Sequence, residues 1–347
     1  MSLSSITYQI HGTSKNTLIS SDSLNDIIQD QSNIVFITDE MVMSHHSAFF
    51  SDKKTIVVPY GEKNKNLETL SILLEKFLNL KLERGYRIVG VGGGMITDLT
   101  GFAASIYKRG VRFGFVPTTL TAMVDASIGG KNGINIGDVK NIVGTVSQPE
   151  FIHIQTQFLQ SLPKSMWSDG FAEIIKHALI GNEVLCNDLL ASRIEDYSSD
   201  EVRLEKLIFD NISQKVKLVE QDPFDTGIRN SLNFGHTLGH TLEKKLNLTH
   251  GQAVAVGMNF ASWLSTKTST LTYNEYEMIL QLLSRYNLPL YQEFDLDAVF
   301  ESLLNDKKKQ DENIRFVLLE NIGKSVIHNI DITSLKSYIS TWKNLQS

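Results

Sequence analysis

The sequence predicts a chain of two parts, an α/β N-terminal domain with a parallel, Rossmann-like sheet and a mainly α-helical C-terminal domain. Three observations support this prediction. Short β-branched runs alternate with helical patterns up to about residue 150, whereas one helical pattern follows another from about residue 170. The chain has 347 residues, which is too long for one ordinary core and suits two domains. We place these domains at residues 1–160 and 161–347.

The first part supplies the parallel sheet. β-branched residues cluster there over strand-like lengths. Strands are therefore expected at 6–10, 34–38, 55–58, 87–91 and 111–116. Helices are expected from the spacing of apolar residues at 23–29, 67–80 and 95–107. Because strands and helices alternate, the strands should run parallel, with helices on both faces of the sheet.

The second part is predicted to be helical. Apolar residues recur there at helical spacing in one segment after another. Helices are expected at 170–180, 200–219, 228–245, 252–266, 273–286 and 296–304. A late hairpin should turn at Gly323, and a closing helix is expected at 332–342.

Composition and charge exclude several classes of protein. A net charge of −6 gives no field that favours nucleic acid. The single cysteine, Cys186, cannot form an internal disulfide, which suits a reducing compartment. The first residues, MSLSSITYQIHG, lack the pattern of a secretion signal, and no apolar stretch approaches the ~20 residues of a membrane span. We therefore expect a soluble, cytoplasmic protein without nucleic-acid or membrane partners.

The segment 229–243, RNSLNFGHTLGHTLE, carries two histidines four residues apart, each preceded by a glycine. On the single helix predicted here, residues four apart share one face. That face would present two imidazoles, an amide and a guanidinium, from His236, His240, Asn233 and Arg229. The segment is either a metal or catalytic site or a surface helix with a chance histidine pair, and by itself it favours neither.

A triple glycine follows the strand predicted at 87–91 and opens the next helix. Gly92, Gly93 and Gly94 leave bare backbone, so that amide groups and the helix dipole can meet a phosphate. The spacing is not that of the GxGxxG fingerprint. Polar side chains that suit a ribose or an amide stand at strand ends or one helical turn in, at Asp39, Asp98, Thr118 and Thr119. A plain tight turn is the alternative, and the α/β context favours a nucleotide site over it.

Residues 124–135, VDASIGGKNGIN, are expected to form a glycine-rich loop with Asp125 and Lys131 on either side of a glycine pair. This loop is either a plain surface turn or a loop that curls around an anion, and the spacing alone does not decide. Basic residues recur near the other candidate segments, at Lys176, Lys215, Arg229 and the run 307–309. In an acidic protein this clustering indicates an anionic substrate, although a lysine run such as 307–309 is usually solvated surface.

A carboxylate and a third histidine complete a candidate metal site. Glu173 and Lys176 share one face of the apolar helix predicted at 170–180. They either pair with each other, or Glu173 faces the histidine helix. In the second case Glu173, His236 and His250 form a three-ligand zinc set with open positions for a substrate. Such an ion would polarise a hydroxyl or carbonyl oxygen.

Several long motifs follow one another in fixed order along nearly the whole chain. They are GGGMITDLTGF (92–102), PTTLTAMVDASIGGKNGIN (117–135), GFAEIIKHALI (170–180), RNSLNFGHTLGHTLE (229–243), HGQAVAVGM (250–258) and DKKK (306–309). Through these motifs the chain resembles the 3-dehydroquinate synthases, a family of sugar-phosphate cyclases.

The resemblance implies an NAD- and zinc-dependent carbon–oxygen lyase of the shikimate pathway, with cobalt as a substitute for zinc. The substrate would be 3-deoxy-D-arabino-heptulosonate 7-phosphate, and the products 3-dehydroquinate and phosphate. In the family, a transient oxidation by NAD is followed by phosphate elimination, re-reduction, ring opening and an intramolecular aldol. NAD is thus recycled within each turnover.

The resemblance also assigns roles to individual residues of this chain. The metal ligands would be Glu173, His236 and His250. The substrate and catalytic set would be Asp125, Lys131, Lys176, Lys215, Arg229, Asn233 and His240, joined by Arg109 from across a homodimer interface. The NAD site would comprise Asp39, Glu62, Lys65, Gly92, Gly93, Gly94, Asp98, Thr118 and Thr119, bounded on the substrate side by Lys140 and Asn141.

Four positions depart from the family pattern, namely Gln252, Asn132, Asp225 and Met166. None of them is a predicted ligand, so they concern the surroundings of the site, and hence the rate, more than the type of reaction.

Three rival functions remain. A related cyclase that makes a cyclitol is disfavoured because Lys215, Arg229 and Asn233 keep the dehydroquinate pattern. A glycerol-type polyol dehydrogenase is disfavoured because Glu173 stands where an aspartate is expected. A catalytically silent NAD- and metal-binding protein with a regulatory role is disfavoured because no predicted ligand is lost.

Overall fold

The computed structural model describes residues 5–10, 16–28, 33–306 and 313–346. The chain divides into two compact units. The first contains Met1–Met166 and Glu201–Phe224, and the second contains Trp167–Asp200 and Asp225–Ser347. The helical segment after residue 200, expected in the C-terminal part, thus belongs to the first unit, while the boundary at residue 160 stays a prediction. Within the described ranges no helix is long and apolar enough to cross a membrane.

The strands of the first unit carry its core. They are β1 (Ser5–Gln9), β2 (Asn16–Ser20), β3 (Ile34–Asp39), β4 (Thr55–Val58), β5 (Arg87–Gly92), β6 (Arg112–Pro117), β7 (Lys131–Ile136), β8 (Val139–Val146) and β9 (Phe151–His153). All but β7 and β8 form one sheet in the order β1-β2-β9-β6-β5-β3-β4. The pairs from β2 to β4 are parallel, and only the edge strand β1 runs antiparallel to its neighbour. The predicted Rossmann-like sheet is therefore confirmed.

The strand order reverses beside β3. The chain passes from β3 to β4 at the edge and then returns to β5 on the other side of β3. In open α/β sheets, ligands bind outside the carboxyl ends of the strands where the order reverses in this way. Asp39 ends β3 and Gly92 ends β5, so both lie at this position.

The helices follow in chain order. They are α1 (Leu24–Ile27), α2 (Glu40–His45), α3 (Leu67–Asn79), α4 (Gly94–Ile106), α5 (Lys164–Gly181), α6 (Glu183–Ala191), α7 (Ile194–Ser198), α8 (Glu201–Gln221), α9 (His236–Leu246), α10 (His250–Thr268), α11 (Tyr273–Arg285), α12 (Leu296–Asp306) and α13 (Ile332–Gln346). The second unit also contains the predicted hairpin, formed by β10 (Asn313–Asn321) and β11 (Lys324–Asp331). Gly323 turns it in the left-handed region, at φ 88°.

The single helix predicted at 228–245 is wrong. Residues Ile228–Asn233 form a 3-10 segment, and α9 begins only at His236. Gly235 interrupts the helix with φ 77°, a conformation that favours glycine. A Cβ there would lie 2.8 Å from the carbonyl oxygen of Val254 on α10. The close approach of α10 therefore explains the break.

The same contact continues along α9 and α10. A Cβ at Gly239 would lie 2.8 Å from the carbonyl oxygen of Ala253, and one at Gly257 would overlap the carbonyl oxygen of Gly235. The glycines that precede the two histidines therefore admit another backbone rather than a ligand. This close packing fixes the relative position of the two helices that carry the histidines.

The loop predicted at 124–135 is also wrong in part. A one-turn π-helix at Ala122–Ala126 leads into a turn, and Lys131 begins the antiparallel hairpin of β7 and β8. Gly129 and Gly130 make the turn with φ 101° and 70°. Glycine and asparagine are poor strand formers, so their frequency hid the strand in the sequence.

Candidate functional site

Three side chains of the second unit converge on one point. Glu173 lies on α5 and is fully buried. The Nε2 atom of His250 lies 2.8 Å from Glu173 Oε1, and the Nε2 atom of His236 lies 3.5 Å from the same oxygen. One ligand atom from each residue lies within 4.8 Å of the others. The structure thus brings together the carboxylate and the two imidazoles that the sequence predicted as a set.

This donor set fits a zinc ion. One carboxylate oxygen and two imidazole nitrogens are the ligands of catalytic zinc sites, which keep a further position open for water or substrate. The Nδ1 atom of His236 lies 3.0 Å from the carbonyl oxygen of Phe234. A proton on that nitrogen leaves Nε2 as the free ligand atom, and it is Nε2 that faces Glu173.

Glu173 serves two partners at once. Its Oε1 atom faces the histidines, while Oε2 forms an ion pair with the buried Lys176. Burial alone would raise the pKa of Glu173, but Lys176 and His236 outweigh it and hold that pKa well below its usual range. The two alternatives left open by the sequence, a pair with Lys176 and a role facing the histidines, are therefore both realised.

The pKa values of the two imidazoles shift in opposite directions. Burial, assisted by the nearby Lys176, lowers the pKa of His236. Burial also acts to lower the pKa of His250, but the neighbouring carboxylates of Glu173 and Glu243 raise it to about 10. A metal ion at this site would need the unprotonated nitrogen of each histidine.

The start of α10 positions His250. Thr249 caps the helix and shares a capping box with Gln252, whose side chain accepts a hydrogen bond of 3.1 Å from the Thr249 amide. Thr249 Oγ1 also donates to Asp169 on α5 at 2.6 Å. A Cβ at Gly251 would overlap the backbone of Asp169. These contacts tie the first turn of α10 to α5, and so His250 to Glu173.

His240 and the segment before α9 supply further polar groups in the second unit. The ring of His240 lies 5.0 Å from that of His236 and 6.2 Å from that of His250, centroid to centroid. Arg229 is buried and Asn233 half-buried in the 3-10 segment. They therefore do not continue the helical face of the histidines, which corrects the expectation of one shared face.

The catalytic candidates of the first unit include an ion pair. Lys215 on α8 donates to the Asp125 carboxylate at 2.7 Å and to its backbone carbonyl at 2.6 Å. Lys215 is buried, whereas Lys131 is exposed at the start of β7. The pairing fixes the Lys215 ammonium group beside the one-turn helix that carries Asp125.

Arg109 lies in a turn with an unusual backbone. Lys108, Arg109 and Gly110 have φ angles of 47°, 64° and 113°. Left-handed conformations are costly for residues other than glycine and recur at functional positions. Arg109 is exposed on this turn.

The strand-end glycines of the first unit make room for neighbouring side chains. A Cβ at Gly92 would lie 2.6 Å from the side chain of Ile96, and one at Gly93 would lie 3.1 Å from Thr119. The amide of Thr118 donates to the carbonyl of Gly92 at 3.0 Å. Because α4 begins at Gly94, its first turn presents amide groups that the helix itself cannot satisfy. This arrangement suits a phosphate group.

Acidic and amide groups flank these glycines. Asp39 accepts a hydrogen bond of 2.9 Å from the amide of Val42 and so caps α2, a role that was not expected from the sequence. Lys65, which is buried, pairs with Asp98 and donates to Asn141 at 2.5 Å. Glu62 accepts from Asn135 at 2.9 Å.

The same network includes backbone groups. The side-chain oxygen of Asn135 accepts a 2.9 Å hydrogen bond from the backbone amide of Asn141. The backbone amide of Asn135 donates to the Lys65 carbonyl at 2.8 Å. Asn135, which was not singled out in the sequence, thus joins three predicted NAD-site residues, Glu62, Lys65 and Asn141. Asp98 joins the same network through Lys65. Lys140 lies on β8 and is exposed.

The departures from the family pattern have local explanations at two positions. Gln252 completes the capping box, a task that glutamine and glutamate share. Asn132 donates to the carbonyls of Gly130 and Ser147 at 2.8 and 2.9 Å. Asp225 takes a left-handed φ of 59°, and nothing in the structure explains Met166. The lysine run 307–309 lies outside the described residues.

Two carboxylates near the metal set were missed in the sequence. Glu243 lies at the Nδ1 side of His250, and Asp169 holds Thr249. Glu243 stands seven residues after His236, on the same helical face, so its spacing could have revealed it. Asp169 comes from another helix, and no local pattern points to it.

Comparison with known proteins agrees with this arrangement. The family described as 3-dehydroquinate synthase N-terminal matches residues 55–169, and the family described as 3-dehydroquinate synthase C-terminal matches residues 170–309. A 3-dehydroquinate synthase from Campylobacter concisus is 39% identical over 283 residues, which cover 80% of this chain and 81% of that protein.

Solved structures share the fold. One is ValA, a 2-epi-5-epi-valiolone synthase from Streptomyces hygroscopicus subsp. jinggangensis with NAD+ and Zn2+ bound; it is 24% identical, with a TM-score of 0.85 over 96% of this chain and 98% of that one. Another is a 2-deoxy-scyllo-inosose synthase complexed with carbaglucose-6-phosphate, NAD+ and Co2+. It is 25% identical, with a TM-score of 0.83 over 96% of this chain and 99% of that one.

Proposed function

The chain belongs to the 3-dehydroquinate synthase family, and we propose on this basis that it converts 3-deoxy-D-arabino-heptulosonate 7-phosphate to 3-dehydroquinate and phosphate. It is then a phosphate-eliminating carbon–oxygen lyase of the shikimate pathway, in aromatic amino acid biosynthesis. The observation that carries the proposal is the convergence of Glu173, His236 and His250 within a chain of this family.

The second unit supplies the groups that act on the oxidised carbon. Glu173, His236 and His250 would hold a divalent ion, zinc or cobalt, which when bound makes a substrate hydroxyl more acidic. Lys176 forms an ion pair with the Glu173 carboxylate and so stabilises its ionised form. Arg229 offers a bidentate donor that suits a substrate carboxylate or phosphate.

The first unit supplies the groups that suit a dinucleotide. NAD, when bound, would supply reversible hydride transfer. The glycines at the end of β5 and the first turn of α4 would receive the pyrophosphate, and Asp39 at the end of β3 would lie towards a ribose. Asp125 holds the ammonium group of Lys215 in place. The roles of these residues rest on their match to the family.

Phosphate release tests the proposal directly. The purified protein should release phosphate from the heptulosonate phosphate, and a chelator or removal of NAD should stop the release. NADH should not accumulate, because the hydride returns to the substrate in each turnover. Stoichiometric NADH release would indicate a polyol dehydrogenase instead, and turnover of a hexose phosphate with none of the heptulosonate phosphate would indicate a cyclitol-forming cyclase.

We further propose that the protein is a cytoplasmic homodimer in which Arg109 acts in the partner's site. The strained backbone at Lys108 and Arg109, together with the exposure of Arg109, supports this proposal. Mixing an Arg109→Ala chain with a Lys131→Ala chain should restore part of the activity, since some mixed dimers then hold one intact site. Two inactive variants that stay inactive when mixed and refolded together would contradict a shared site.

A further inference from the structure

His250 has a carboxylate at each of its two ring nitrogens. Its Nε2 atom lies 2.8 Å from Oε1 of Glu173, within the proposed metal set. Its Nδ1 atom lies 3.5 Å from Oε2 of Glu243, which belongs to α9. The ring is thus held between two acidic groups, and only one of them is a predicted metal ligand.

The position of Glu243 follows from the packing of α9 and α10. Glu243 stands seven residues after His236 and therefore projects from the same face of α9. The glycine contacts between α9 and α10 bring that face against the start of α10, where His250 is the first helical residue. The Glu243 side chain is only 10% exposed, so its carboxylate faces His250 largely shielded from solvent.

The two metal-set histidines are oriented in different ways. His236 has a backbone carbonyl at Nδ1, supplied by Phe234 at 3.0 Å. His250 has the side chain of Glu243 at the equivalent atom. A histidine that binds metal through one nitrogen usually donates its other N–H to such an acceptor, which fixes the tautomer and strengthens the ligand.

We propose that Glu243 is the positioning residue of His250, which accepts the Nδ1 proton and so directs the Nε2 lone pair to the metal. The inference rests on the proposed function, because it takes His250 as a metal ligand. Glu243 does not touch the ion in this arrangement. It acts on metal affinity and on the geometry of coordination, and through these on the reaction.

A second arrangement of the same groups provides the competing outcome. Ligand atoms of His240, Glu243 and His250 also lie within 4.8 Å of one another. If Glu243 were a metal ligand, an ion would sit on the Nδ1 side of His250, alone or together with one at Glu173. A positioning role predicts one ion per chain and coordination through Nε2 of His250.

Substitution of Glu243 tests the proposal through metal binding. In Glu243→Gln and Glu243→Ala, the dissociation constant for Zn2+, measured by competition with a chelator, should rise on the order of 10- to 100-fold. Glu243→Asp, which keeps the charge but shortens the reach, should give a smaller rise. Glu301→Gln makes the same chemical change at an exposed position of α12 and should leave the constant unchanged.

Spectroscopy separates positioning from loss of packing. The Co2+-loaded Glu243→Gln protein should keep one ion per chain and show shifted d–d bands, because the orientation of a ligand has changed. The nitrogen resonances of His250 in the zinc-loaded wild type should show the proton on Nδ1. If Glu243→Gln fails to fold, Glu243→Asp and the wild-type nitrogen resonances still decide the question.

Three results would overturn the inference. The first is an equal Zn2+ affinity in the wild type and in all three Glu243 variants. The second is a wild-type chain that binds two ions, one of which is lost in Glu243→Gln. The third is a wild-type His250 that binds the metal through Nδ1. Failure of the proposed function would look different. The wild type would then bind no metal at Glu173, or would bind it and release no phosphate from the heptulosonate phosphate.

Discussion

The metal set of the second unit and the strand-end region of the first unit are built in opposite ways. The metal set consists of three buried or half-buried side chains from three helices, and each must be present for the set to exist. The strand-end region relies on backbone amides and on the absence of side chains at Gly92 and Gly93. The metal set therefore depends on individual side-chain atoms, whereas the strand-end region offers backbone groups of several residues. Substitutions should therefore affect the two regions with very different severity.

The largest effect is expected for His250→Ala. This change removes a direct ligand. Zn2+ affinity should therefore fall by more than the roughly 100-fold that is lost when a residue hydrogen-bonded to a ligand is substituted. Phosphate release should fall together with the metal content, which can be measured by elemental analysis of the purified protein. His328→Ala, at a half-buried position of β11, is the control. Full metal occupancy with full activity in His250→Ala would remove His250 from the site.

The next effect concerns the packing that assembles the metal set. Gly257→Ala would place a methyl group into the carbonyl of Gly235 and push α9 away from α10. Overpacking of this kind typically costs about 1–3 kcal/mol in the free energy of unfolding. Urea denaturation should show this loss, and Zn2+ affinity should weaken in parallel. Gly85→Ala, where no atom lies within 4 Å of the new Cβ, should change neither quantity.

A smaller effect is expected at the strand end. In Gly93→Ala the added methyl would lie 3.1 Å from Thr119, close enough to displace the side chain or the backbone slightly. If this displacement costs about 1 kcal/mol of binding free energy, NAD affinity falls about fivefold. Calorimetric titration with NAD would measure the change. An unaltered NAD affinity would argue that the dinucleotide does not approach this backbone.

The last prediction concerns the slope of stability against pH rather than the effect of a substitution at one pH. Burial, opposed by Lys65, raises the pKa of Asp98 to about 6, above its usual value of 3.8. Between these two values the folded chain holds a proton that the unfolded chain has released. The contribution of Asp98 to stability therefore falls as pH rises from about 4 to about 6. In NAD-free protein, Asp98→Asn should remove this decline. The free energy of unfolding of the variant, relative to that of the wild type, should therefore increase across the interval. Parallel curves would show that Asp98 titrates normally.

The two regions were not equally accessible from the sequence. The parallel sheet and most helices follow from local periodicity, because apolar spacing is a local property. The break at Gly235 does not, since it results from contact with Val254, about twenty residues further along the chain. The hairpin that begins at Lys131 was hidden by residues that disfavour strands.

The candidate site shows the same division between local and distant causes. The spacing of His236 and His240 placed both on one helix face, as observed. The link from Thr249 to Asp169 joins segments 80 residues apart, and no spacing rule reaches across that separation. Residue identity therefore indicated which groups come together in the metal set, while the structure was needed to show what holds them in place.

Thr249 has a practical consequence for protein engineering. Successive residues of an α-helix lie about 100° apart around its axis, so a shift of the sequence by one residue rotates every side chain by that angle. His250 is the first residue of α10, so a shift of one residue would swing its ring away from Glu173. A chimaera that exchanges α10 with that of a relative should therefore transplant Thr249, Gly251 and Gln252 together with Asp169, as one cassette.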